Sequence, residues 1–222
     1  MIKKISLFLK LYKNYYKNTN IFIVLFVFLR IIIFPIKKFI KEIDFIFLNN
    51  KNNKNILDIG CGHGLIDFII LENYKKNIEI DAIDINLKRI NALTKISNKN
   101  INFHAKNLCE EEVQKKYDII IMIDTIHHLN KQCQIDLLEK KLENILKDKG
   151  YLIIKEIDTY PKYKYYFNLI HDLIFNGKPL NFINKKNLAD KLQYYNYKII
   201  KNIKINSIFP YPHYLIIAQK LK

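Results

Sequence analysis

Tryptophan is absent from this 222-residue chain, and arginine, cysteine, methionine, glycine and proline are all scarce. The arginine shortage excludes most. Lysine and arginine together number 37 and the formal net charge is +16, yet only Arg30 and Arg89 are arginine. A charge of that size invites a nucleic-acid or anionic-membrane partner. Readers of bases and phosphates favour the planar guanidinium, whereas here lysine is spread along the whole chain with abundant asparagine and isoleucine, and it forms no compact basic block. The mixture reads as a broad compositional bias, and it argues against nucleic acid as a partner. Three cysteines, Cys61, Cys109 and Cys133, form an odd set without paired spacing. That pattern argues against a disulfide framework or a zinc site and for a reducing compartment. No metal ligand set is apparent, so none is expected.

A long hydrophobic run is also lacking. The longest near the N-terminus is nine residues, Ile21 to Leu29, followed by Arg30, Ile31 to Phe34, Pro35, Ile36 and two lysines. A spanning helix needs about 20 predominantly apolar residues, and this stretch is broken by a charge and a proline. No small-residue cleavage site follows Phe34, so a secretory signal is excluded. Residues 21–36 therefore read as an interfacial helix in peripheral contact with a membrane, as a cap over a crevice, or as a short span. Residues 1–50 form an apolar helical segment distinct from residues 51–222, and the length suits one domain with such an appendage.

From Lys51 onward, strand and helix alternate. Strands are predicted near 55–60, 78–84, 101–105, 117–124 and 151–157, and helices near 64–76, 86–98 and 131–147. The strands are nearly continuous apolar runs, as expected when both faces of a sheet are covered, and the alternation implies a parallel doubly wound α/β sheet. The helix over 131–147 ends in Lys147-Asp-Lys-Gly150, with cations at the negative end and a glycine cap. Asn184 to Tyr195 reads as a further helix, Asn176 to Pro179 as a turn, and Tyr197 to Ser207 and Tyr211 to Gln219 as two strands linked through 209–212.

The chemistry concentrates where the first strand ends. Ile56 to Gly64 is an apolar strand that breaks into Gly60, Gly62 and Gly64, and an apolar helical pattern opens next. Glycine there removes the Cβ atoms that would keep a bulky ligand from the backbone and permits φ > 0. The following helix points its N-terminal amides into the same crevice. Asp84 ends the next strand, 26 residues past Asp58. A dinucleotide site would want its third glycine at position 65, which is leucine.

Asp58-Ile-Gly60-Cys61-Gly62-His-Gly64 instead resembles the first motif of class I S-adenosylmethionine-dependent methyltransferases. The resemblance runs in order over about residues 51–158. It implies that Asp84 holds the ribose hydroxyls and that Ile85 packs on adenine. Asn107, followed by Leu108, falls where the family usually has an aspartate accepting from the adenine amino group; its amide oxygen can accept the same bond without the charge. Ile123 and Asp124, at the end of the fourth strand, flank the methionine end of the cofactor. The resemblance further implies a Rossmann-like seven-stranded sheet of order 3-2-1-4-5-7-6 with helices on both faces, S-adenosyl-L-methionine as cofactor, and methyl transfer by in-line displacement.

Asp124, His127 and Glu156 are candidate catalytic groups by position, should the acceptor have a proton to lose. Asp124 could equally cap the next helix. The resemblance places His127 and His128 at the start of the next helix, and because they are adjacent at most one faces the crevice. The aromatic run 160–167 is either a packed helix face or a wall suited to an apolar acceptor. The expected partner is a small, lipid-like acceptor, with the chain in the cytoplasm or at the inner membrane face. The alternatives are an RNA or protein methyltransferase and a non-catalytic cofactor-binding homologue.

Overall fold

Isoleucine, leucine and methionine at successive positions of the central strands place one side chain on each face of a sheet in turn. Both faces are covered. In the computed structural model, which describes residues 2–48, 54–74, 78–96, 98–163, 165–166, 180–206 and 212–221, Ile56, Ile119, Ile121 and Ile153 join one hydrophobic cluster. Leu57, Ile120, Met122, Leu152 and Ile154 join the other. Each such side chain contributes roughly 1.5–3 kcal/mol by leaving water.

The strands are β1 (Lys54–Ile59), β2 (Ile78–Asp84), β3 (Ile101–Ala105), β4 (Tyr117–Ile123), β5 (Leu146–Ile157), β6 (Tyr197–Asn206) and β7 (Pro212–Lys220). They form one seven-stranded sheet of order β3-β2-β1-β4-β5-β7-β6. The first five are parallel, while β7 runs antiparallel between β5 and β6. The order reverses between β1 and β4, and in open α/β sheets ligands bind outside the carboxyl ends of the strands at that point.

Three helices precede the sheet: α1 (Ile2–Leu11), α2 (Ile21–Ile33) and α3 (Ile36–Leu48). A π-helical turn, Tyr12–Tyr16, extends α1. Asn20 caps α2, its side chain accepting from the Phe22 amide at 2.8 Å. Phe34 is extended, with φ −69° and ψ 132°, as the residue before a proline should be, so Pro35 divides α2 from α3. Leu11, Tyr16, Val27, Ile31, Phe39 and Ile43 are buried in the first cluster. The N-terminal helices thus cover that side of the sheet.

Within the sheet region come α4 (Leu65–Asn73), α5 (Leu87–Leu93), α6 (Lys131–Asp136), α7 (Leu142–Ile145) and α8 (Lys185–Tyr194). Every residue of α4 from Leu65 to Leu71 is buried, the acid Asp67 among six apolar residues. Tyr15 stacks on its Phe68 at 4.1 Å between ring centroids.

The structure departs from three expectations. The helix predicted over 131–147 bends through a π turn (Leu137–Lys141) and stops at Ile145, and β5 begins at Leu146. Gly150 is not its cap: the left-handed residue is Lys149, at φ 59°. The cysteines are the second departure. Cys109 and Cys133 form a disulfide with Cα atoms 5.3 Å apart, leaving Cys61 free and buried; they are 24 residues apart in sequence and meet only because α6 packs back on the loop after β3. Thirdly, His127 and His128 lie in a 3₁₀ turn (Ile126–His128), not in the next helix. The turn expected at 176–179, the link at 209–211 and part of the aromatic run lie outside the described residues.

Closing a loop of 24 residues stabilises by about 3 kcal/mol in the chain-entropy picture. Reduction, or Cys133→Ser, is expected to lower the urea midpoint of unfolding by a corresponding amount. An unchanged midpoint would show that the bridge constrains nothing in the unfolded chain.

Candidate active site

Three left-handed glycines make the turn after β1. Gly60, Gly62 and Gly64 have φ of +80°, +60° and +73°, where L side chains are strained. The amides of Gly60 and Cys61 donate to the Ile83 carbonyl at 2.8 and 3.0 Å, which straps the turn across β2. A Cβ on Gly60 would stand 2.5 Å from the Thr125 side chain, so β1 and the turn after β4 can approach only here. At Gly62 an added Cβ would meet nothing within 4 Å. That backbone faces open space.

Asp84 is buried at the end of β2. One carboxylate oxygen accepts from the Gly62 amide at 2.9 Å and the other from the Asn86 amide at 2.8 Å. Beside it Ile85 is 71% exposed, positioned as an apolar lip. Asn107 turns inward on its own loop: its side-chain oxygen accepts from the Cys109 amide at 3.1 Å, and its amide donates to Glu111 at 2.9 Å. Leu108, Ile123 and Cys61 are buried. Burial pushes the Cys61 thiol up. Asp58 is buried too, and its Oδ1 has no hydrogen-bond donor among the described residues.

Asp124 leaves β4 in left-handed backbone at φ 54°. Its carboxylate receives the Lys155 ammonium at 2.6 and 2.7 Å and the guanidinium of Arg30, with the His213 ring 3.8 Å away. Arg30 arrives from α2, 94 residues earlier. Burial alone would raise the Asp124 carboxyl, but Lys155 and Arg30 override it and hold the group well below the usual carboxylate range. Burial lowers Lys155 to about 8 and, with Lys155 beside it, His213 to about 3. The N-terminal segment also reaches the glycine turn. The Tyr16 hydroxyl donates to the His63 carbonyl at 2.8 Å, and Phe26 lies 4.6 Å from the His63 ring.

Glu156 organises the turn after β4. Its Oε1 accepts from the amides of Thr125 and Ile126 at 2.8 and 2.6 Å, and its Oε2 meets His127 Nδ1 at 2.5 Å. His127 and Glu156 are both buried, and the His127 ring stacks on Phe182 at 5.3 Å.

Residues at 58–64, 84–85, 107–108, 123–127 and 156 thus gather at the carboxyl ends of β1 to β5. Asp124 is no helix cap, since Asn130 caps α6. Sequence reasoning missed Lys155, His213 and Asp67, and it took Arg30 only as an interruption of an apolar run. The available signal was the one that singled out Asp84: a charge inside an otherwise apolar element lacks a cheap structural explanation.

A side-chain-free turn after the first strand, an acid after the second and a buried acceptor beneath stand together at the switch point of the sheet. A family model described as a methyltransferase domain matches residues 32–202, and the chain belongs to that family. A ubiquinone biosynthesis O-methyltransferase of Rickettsia conorii is 26% identical over 168 residues, 75% of this chain and 57% of that protein. A malonyl-[acyl-carrier protein] O-methyltransferase 2 of Ilyobacter polytropus is 36% identical over 111 residues, 48% of this chain and 41% of that protein. The chain spans about half the length of the curated relatives it matches. A solved SAM-dependent methyltransferase of Methanosarcina mazei shares the fold, with a TM-score of 0.62 at 20% identity over 81% of this chain and 97% of its own. The cofactor is S-adenosylmethionine. The residues fit it: open backbone at Gly62, the Asp84 carboxylate, the Ile85 lip, and an acidic acceptor at Asp58 that lacks a donor.

Removing one partner of a buried ion pair leaves the other charge uncompensated, at about 3–5 kcal/mol. Asp124→Asn is therefore expected to lower stability by that order in chemical denaturation, because Lys155 is fully buried. Asp124→Asn combined with Lys155→Met should recover most of the loss. A single variant as stable as the parent would show that the ion pair carries no weight.

Proposed function

We propose that this chain transfers the methyl group of S-adenosylmethionine to an oxygen of a small apolar or lipid-like acceptor, with its N-terminal helices resting on a membrane surface. The observation that carries this is α2. Ile21, Phe22, Leu25, Phe26 and Leu29 on that helix are 49–75% exposed, while Arg30, a turn further on, enters the crevice to pair with Asp124. Ile5, Leu9 and Tyr12 on and after α1 are exposed as well, and exposed Lys3, Lys10, Lys13 and Lys17 lie along the same segment. Grouped apolar residues with cations nearby suit a helix lying in a lipid interface. No helix among the described residues is long and apolar enough to cross a membrane. Two relatives are named as O-methyltransferases, which supports oxygen as the acceptor atom.

Bound S-adenosylmethionine supplies a methyl on a positively charged sulfur, already a good leaving group. The protein's task is to hold the acceptor about 3–3.5 Å from that carbon and to exclude water. Covering the crevice with α2 serves the second need. A hydroxyl acceptor must also lose a proton. Asp124 is ionised and held so by two cations, which leaves it weakly basic and suited to positioning. Glu156 is committed to two amides and to His127. We assign the base to His127, whose ring is held by the contact of its Nδ1 with Glu156.

Incubation with methyl-labelled S-adenosylmethionine and hydroxyl or carboxyl acceptors of graded chain length, presented in vesicles, is expected to move label into the organic phase. Label appearing instead in protein or RNA would replace the acceptor class. His127→Gln should lower kcat about 10²- to 10⁴-fold with little change in cofactor affinity; full turnover would reassign the base.

The membrane assignment predicts that the chain floats with anionic liposomes and that Phe22→Asp with Leu25→Asp abolishes flotation without changing the thermal midpoint. These side chains already face solvent, so a folding defect is not expected. Equal flotation of both proteins would remove α2 from the lipid contact.

A further inference from the structure

We propose that Asp58 and Asp67 act as one acidic unit that shares a proton until S-adenosylmethionine enters and releases it to solvent as the cationic cofactor binds. Asp67 is thereby a positioning residue that favours the positively charged sulfonium over the uncharged sulfur of the product. The proposal rests on the cofactor assignment above.

The strand, glycine turn and helix fold the two carboxyls together. Asp58 is the penultimate residue of β1 and Asp67 stands in the first turn of α4. They are 2% and 1% exposed. With both ionised, Asp58 Oδ1 has no donor and Asp67 has none beyond its own backbone amide. The two side chains lie within hydrogen-bonding reach of each other, so one proton between them supplies the missing donor.

The surroundings favour retention of that proton. Asp84 from β2, the Cys61 thiol of the glycine turn and the Tyr16 hydroxyl from the N-terminal segment act on the pair. None is a cation. The nearby Arg89 guanidinium, 3.9 Å from Asp84, is itself 45% exposed. Burial pushes Asp67 up to about 7 and, with the charge of Asp67, holds Asp58 well above the usual carboxylate range. Two adjacent carboxylates in a low-dielectric site do not both ionise readily.

The glycine turn begins two residues after Asp58. A ligand in that turn carrying an ammonium and a sulfonium supplies the missing positive charge. The shared O–H bond then breaks and the proton passes to the buffer, leaving two carboxylates beside the cofactor. S-Adenosylhomocysteine lacks the sulfonium charge and draws less of the proton.

Isothermal titration of S-adenosylmethionine into the full chain near pH 6.5, in phosphate and in imidazole, reads the proton count from the difference in apparent enthalpy. The parent is expected to release about one proton, with affinity rising up to about tenfold per pH unit below the pair's titration. S-Adenosylhomocysteine should release clearly less. Asp67→Asn keeps a hydrogen bond to Asp58 but has no proton to give, so it should bind with no buffer dependence and a flat pH profile. A merely structural Asp67 would move the thermal midpoint of the variant and leave the proton count at the parent value, which would overturn the proposal. Parent binding without proton release would also overturn it, and that measurement decides the matter even if the variant does not fold. Failure of the parent to bind would instead remove the cofactor assignment on which the proposal rests.

Discussion

A lysine with no exposed surface stands in the last third of β5, and its ammonium must be satisfied where it lies. The backbone of Asp124 turns left-handed as β4 ends and presents a carboxylate to it at 2.6 Å. The same carboxylate accepts Arg30 from α2. One acid thus joins β4, β5 and the N-terminal segment at the mouth of the crevice. Buried ion pairs add little net stability relative to an apolar isostere, but they tolerate few alternative arrangements. The clamp's main effect is therefore geometric: it fixes α2 against the ends of β4 and β5, and sliding the helix along its axis would strand a buried charge.

The charges of the crevice are arranged differently on its two sides. Acids collect beneath and beside the glycine turn, as Asp58, Asp67 and Asp84, at the ends of β1 and β2 and the start of α4. The cations Arg30 and Lys155 collect at the ends of β4 and β5. The first group suits a ligand with positive charge. The second holds Asp124 ionised beside the His127–Glu156 pair.

The N-terminal segment shows why a short apolar run was ambiguous as sequence. Thirteen residues of α2 are too few to span a bilayer, at about 1.5 Å each, yet the run is more apolar than burial of one face requires. Both a cap and an interfacial helix fit that pattern. In the structure Val27 and Ile31 are buried in the core while Phe22 and Leu25 remain exposed, so one helix has the surfaces for both. Arg30 looked like a defect in an apolar helix because its partner lies 94 residues away.

The parallel sheet, the glycine turn and the acid ending β2 were legible in the chain itself, because apolar periodicity, φ > 0 and an isolated carboxylate are local signals read within a few residues. The antiparallel β7 and the strand order came through the family resemblance and match the sheet observed. The Cys109–Cys133 bridge, the clamp on Asp124, the His127–Glu156 pair and the Asp58–Asp67 pair were decided only by tertiary structure. Each joins side chains from different elements, and long-range packing alone sets which of many possible partners comes within bonding distance.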